Sequence, residues 1–121
     1  MEFNRLELAV LDAYGALYSS EEPRLALQIA NARPTSRENS GAGFFTEVTV
    51  DPTTSEKIIA WGPLGQHYMH ISGLEHGLGL ILFFSEGYLS LIEGYSQAGE
   101  DTNSIDFSSI EPGQFVPIPS I

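Results

Sequence analysis

All three histidines of the chain, His67, His70 and His76, fall within ten residues, and Glu75 stands beside the last of them. Imidazole and carboxylate are ligands for zinc, nickel, copper or iron, and two His with one acid make the facial triad of non-haem iron sites. The cluster is therefore where a metal-binding domain or a small metal-dependent enzyme would assemble its centre. The spacing argues against that use. On a strand, residues 67 and 70 point to opposite faces, and the helical H-E-x-x-H pattern that presents two imidazoles one turn apart is absent. Locally hydrogen-bonded loop and strand histidines are the simpler expectation, and no cofactor is expected.

Other chemistries find less footing. With no Cys there is no thiolate nucleophile, disulfide framework, iron–sulfur cluster or finger-type zinc site. No G-x-S-x-G elbow occurs; Gly94-Tyr95-Ser96-Gln97-Ala98-Gly99 only approaches one. The glycine-rich run from Gly73 to Gly79 precedes an apolar strand, whereas a phosphate-cradling loop follows a strand and opens a helix. Acid pairs such as Glu86 with Glu93, or Glu75 with Glu93, carry little specificity in an acidic chain. No catalytic residue is assigned.

Sixteen Asp+Glu against five Lys+Arg give a net charge of −11 over 121 residues. That balance opposes binding to a phosphate backbone, whose affinity comes from Lys and Arg displacing counterions, and it repels an anionic bilayer. Nucleic acid and membrane are thus excluded as expected partners, and a basic protein is favoured. The apolar fraction of 42% supports one packed core. Residues 1–5 lack a basic, apolar leader, and the longest apolar run, Leu78 to Phe84, is too short to span a bilayer. A cytoplasmic location is the expectation.

The elements that must position these residues follow from periodicity. Phe3, Leu6, Val10, Ala13, Tyr14 and Leu17 recur at steps of three and four and predict an amphipathic helix to Tyr18. Ser19, Ser20, Glu21, Glu22 and Pro23 read as the start of a second helix that must stop near Arg33, ahead of Pro34. Residues 35–41 read as a polar connection. Strands are expected over 43–50, over 57–61, more weakly over 66–71, and as a hairpin of 78–84 with 88–95 about a turn at Gly87. The alternation of the last strand places Leu89, Leu91, Glu93 and Tyr95 on one face, so Glu93 needs a rim position or a partner. From 96 onward a polar loop leads to a proline-punctuated tail, which should lie extended across the domain and bury Phe107 and Phe115.

Three stretches carry a resemblance: Ser40-Gly41-Ala42-Gly43-Phe44-Phe45-Thr46, then Ile71 to Gly79, then Leu82 to Tyr95. Together they resemble small uncharacterised bacterial proteins with the pattern TGxGFFT … LEHGxG … LFxxDGxLxxLEGYT, some of them immunity-like. The likeness covers residues 40–95, and the chain departs from the pattern after Gly94. It implies an interaction role; the polar positions that match are Glu75, His76, Glu93 and Tyr95. Trp61 joins them as an aromatic candidate for a binding face.

The expectation is a single α+β domain over residues 1–121: two helices within about 3–33, an antiparallel meander of about four strands within about 43–95, and an extended tail from 96 to 121. Its expected role is a non-enzymatic acidic interaction domain, an inhibitor or immunity-type protein for a basic partner. The alternatives are metal binding through His67, His70, Glu75 and His76, and a homodimer sealed by the apolar strand 78–84 or by the tail.

Overall fold

A computed structural model describes residues 1–59 and 61–119. Helix α1, Arg5–Leu17, begins on a reciprocal cap: the Asn4 side chain accepts from the Glu7 amide at 2.8 Å, and the Glu7 carboxylate accepts from the Asn4 amide at 2.8 Å. Its inward stripe is Leu6, Val10, Leu11 and Tyr14, all fully buried. Helix α2, Arg24–Ala30, is shorter than expected, and its N-cap is Pro23 rather than a serine. The Ser19 hydroxyl instead donates back to the Ala16 carbonyl at 2.9 Å, closing the end of α1, while Glu22 accepts from the Arg24 amide and guanidinium.

Among the described residues six antiparallel strands form one sheet in the order β1-β2-β5-β4-β3-β6. They are β1 Ala32–Asn39, β2 Gly43–Val50, β3 Leu64–Met69, β4 Leu78–Ser85, β5 Tyr88–Ser96 and β6 Phe115–Pro117. The α+β class holds, with six strands in place of about four. The order departs from a meander, because β2 pairs with β5, and both β5 and β4 lie between β2 and β3.

The expected polar connection at 35–41 is largely the edge strand β1. An edge strand can be polar on both faces, so it leaves no apolar alternation to read. Pro34 is tolerated there because an outer edge requires no ladder donor at every position, and the register slips between Pro34 and Ser36.

Conversely, the strand expected over 57–61 is not formed at Lys57, Ile58, Ile59 or Trp61, and Ala60 lies outside the described residues. The backbone there finds other partners. The Ile58 amide donates to the Gly87 carbonyl at 2.8 Å, and the Glu56 carbonyl accepts from the Gln28 side chain at 2.7 Å.

The central hairpin β4–β5 turns on Glu86 and Gly87, both at positive φ (53° and 87°), the signature of a two-residue primed turn. Directly after it the register slips between Phe83 and Phe84, so Leu91 opposes Phe83 and Leu89 opposes Phe84. That bulge corrects the single-face alternation: Leu89 turns into the core at 1% exposed, while Leu91, Glu93 and Tyr95 stay half-buried on the other side.

The core lies between the helices and one face of the sheet. Phe44, Val48 and Val50 of β2, Leu78, Leu80 and Leu82 of β4, and Ile92 of β5 point into it. The Tyr14 hydroxyl donates to the Leu80 carbonyl at 2.6 Å, which fixes α1 over the central strand, and burial pushes the phenol well above its ordinary range.

The tail does cross the domain. Phe107 packs on Phe44 at 5.1 Å and is 8% exposed, and Phe115 of β6 meets Tyr14 at 4.8 Å. Phe115 also stacks on the His67 ring at 4.4 Å.

Candidate functional site

The expected metal ligands are not brought together. His67 is paired opposite Leu80 and faces the helices between Tyr14 and Phe115. Its Nδ1 is buried without a hydrogen-bond partner among the described residues, and burial lowers the imidazole pKa. His70 is exposed beyond the end of β3, its ring edge-on to Tyr68 at 5.2 Å. Glu75 and His76 lie exposed in the glycine-rich turn, and their backbone amides each donate to the Glu100 carboxylate at 2.9 Å. Those amide bonds hold the Glu100 carboxyl below its usual range. Among the described residues no three His, Asp or Glu side chains form a group that could hold a metal ion. The backbone of the turn at 73–77 is thus partnered by Glu100 and Gln97 of the following loop, and the alternation of β3 sends His67 away from it.

Trp61 is half-buried against Tyr18 at 5.0 Å and Phe84 at 6.1 Å, so it extends the core rather than a free surface.

A second polar constellation was not legible as such in the sequence. Glu7, 1% exposed, receives Arg37 Nε at 2.8 Å and Nη2 at 2.6 Å, together with the Thr46 hydroxyl and the Asn4 amide. A cavity of about 160 Å³ adjoins it, lined also by Asn39, Phe44 and Phe107. Four donors occupy the carboxylate, so it has no free lone pair with which to act as a general base. The hydrogen bonds to Glu7 raise the Arg37 guanidinium above its ordinary range. This arrangement locks α1 onto β1 and β2. Two signals pointed to it: Asn4 followed three residues later by Glu7, and Thr46 at an inward position between Phe44 and Val48.

The site that remains is the face of the sheet opposite the helices. Register places Glu93 at its centre, between Phe45 on β2 and Ile81 on β4, with Leu91 and Tyr95 two positions away along β5. Phe83 stands beside Leu91, and Glu47 beside Leu91 on the other flank. Glu38 on β1 continues the row of Phe45 and Glu93 outward. The apolar members of this face are half-buried, and none of them packs against the core cluster.

Glu93 takes part in none of the side-chain hydrogen bonds or ion pairs among the described residues, and burial raises its carboxyl pKa. The cations stand elsewhere. Arg5, Arg24 and Arg37 pair with Glu111, Glu22 and Glu7, Arg33 stands opposite Thr49 at the outer corner, near Asp51, and Lys57 lies against the Gly87 turn.

Two of the expected binding residues, Glu93 and Tyr95, therefore share one surface, while Glu75 and His76 lie on a separate turn and Trp61 in the core layer. Among the described residues no helix is long and apolar enough to cross a membrane. No protein-family model, curated protein or solved structure matches the chain.

Proposed function

We propose that the chain is a non-enzymatic protein-interaction domain that docks a basic partner on its uncovered sheet face, in the manner of an inhibitor or immunity-type protein. The observation that carries this reading is the asymmetry of the sheet. One face is sealed by two helices and the tail, while the other presents half-buried Phe45, Ile81, Phe83, Leu91 and Tyr95 with Glu38, Glu47 and Glu93 among them. Contiguous apolar surface rimmed by charge is what an interface core and rim require.

Charge selects the occupant. Two copies meeting through this face would bring like carboxylates together, on chains that each carry −11, which disfavours a homodimer through it. A basic partner meets the opposite condition and is steered toward it by the same field.

Selection of a random displayed peptide library on the immobilised protein tests the reading. The expected outcome is enrichment of peptides combining Arg or Lys with apolar residues, whose binding weakens with salt and is abolished by Leu91→Lys. Enrichment of neutral peptides, or basic peptides indifferent to Leu91→Lys, would refute it.

A further inference from the structure

We propose that Glu93 is the specificity point of this face and receives the guanidinium of an arginine presented by the partner. The inference rests on the docking-face reading and names the group the face recognises. Directly paired residues on adjacent antiparallel strands hold their Cβ atoms about 4.5–5.5 Å apart, so Phe45 and Ile81 flank the Glu93 side chain on both sides. Leu91 and Tyr95 flank it along its own strand.

A carboxylate so placed loses part of its hydration to apolar neighbours and gains no donor in return, since no hydrogen bond or ion pair within the described residues reaches it. The free domain therefore carries an electrostatic cost that a bound cation would remove.

Arginine fits this surrounding better than lysine. Its planar fork matches both carboxylate oxygens, it gives up hydration more readily than an ammonium, and its faces stack on aromatic rings. The aromatic component is already in place. A Cβ on Gly79 would lie 2.1 Å from Cζ of Tyr95, so the tyrosine ring occupies the space a side chain would fill and is held down on the sheet before any partner arrives. Pre-positioning of this kind lowers the entropy lost on binding.

The burial that raises the Glu93 carboxyl pKa agrees with this geometry. Burial also implies that Glu93→Gln melts no lower than the parent, which keeps the variant usable as a test.

The experiment is an amide-resolved NMR titration with acetyl-Leu-Arg-Leu-amide and its lysine and citrulline counterparts, on the parent, Glu93→Gln and Leu91→Lys. Expected is a saturable shift of the Phe45, Ile81, Glu93 and Tyr95 amides by the arginine peptide. Glu93→Gln should weaken that peptide about tenfold, the factor of a charge-assisted hydrogen bond, and leave the citrulline peptide unchanged.

If Leu91→Lys abolishes binding while Glu93→Gln leaves the arginine peptide unaffected, or if lysine binds as well as arginine, the arginine assignment falls and the docking face stands. Shifts confined to acids elsewhere on the surface, or no saturable shift at about 10 mM peptide, overturn both.

Discussion

Replacing Arg37 by Met tests the buried carboxylate cluster most directly. Glu7 is 1% exposed, while the Arg37 side chain is 27% exposed, so the substitution removes two short charge-assisted bonds from a carboxylate that cannot turn to solvent. Only the Asn4 amide and the Thr46 hydroxyl would remain on it. Breaking a buried pair on one side costs about 3–5 kcal/mol, and the partial exposure of Arg37, which admits some water, favours about 3 kcal/mol here.

For a chain of 121 residues the entropy of unfolding is about 0.25 kcal/mol per kelvin, so the expected fall in Tm is about 12 °C. Urea and thermal denaturation measure it. The double variant Glu7→Gln, Arg37→Met isolates the mechanism. A neutral amide can still accept from Asn4 and no longer needs a cation, so the double variant should recover at least about 1.5 kcal/mol relative to Arg37→Met alone. A loss below about 1 kcal/mol for Arg37→Met, or no recovery in the double variant, would show that the cluster does not fasten α1 to the sheet.

Other substitutions probe the remaining contacts. Gly79→Ala forces the Tyr95 ring off the sheet and should cost about 1–3 kcal/mol by urea midpoint, with most of the loss cancelled when Tyr95 is also Ala; an additive double variant would contradict the close approach. Gln28→Leu strips the Leu89 amide and the Glu56 carbonyl of their partner at 2.9 and 2.7 Å, and an expected loss of about 2–4 kcal/mol is checked by denaturation.

His67 should make stability fall with acid. Burial holds its folded pKa below the unfolded value of 6.5, so between the two values the unfolded chain binds more protons. Its contribution is complete above about pH 6.5, is lost progressively as the pH falls, and levels off only below the folded value. His67→Phe should flatten the dependence of the urea midpoint between pH 7 and 5; an unchanged slope would place its origin elsewhere.

The local elements with strong periodicity were readable from the chain. Helix α1, the strand at 43–50 and the hairpin around Gly87 form where propensity, alternation and turn chemistry agree. The burial of Phe107 and the partial burial of Phe115 likewise followed from large apolar side chains that prolines keep out of a helix. What escaped is what pairing decides. Strand β1 has no pattern of its own and exists because β2 offers it a free edge; residues 57–59, which look β-prone, instead place the Ile58 amide on the Gly87 carbonyl and the Lys57 carbonyl on the Arg24 guanidinium.

The candidate site divides in the same way. Composition fixed its charge, and the sequence showed that Glu93 would sit among apolar residues. It did not show the bulge that sends Leu89 inward and leaves Leu91, Glu93 and Tyr95 on the open side. Nor did it show that β2 and β4 would enclose Glu93 between Phe45 and Ile81, because residues nearly fifty positions apart become neighbours only through sheet order. Periodicity reports which side of its own element a residue occupies. Which elements cover that side, and which cations come within reach of a carboxylate, is set by long-range packing, whose free energy depends on contacts that no local stretch of sequence contains.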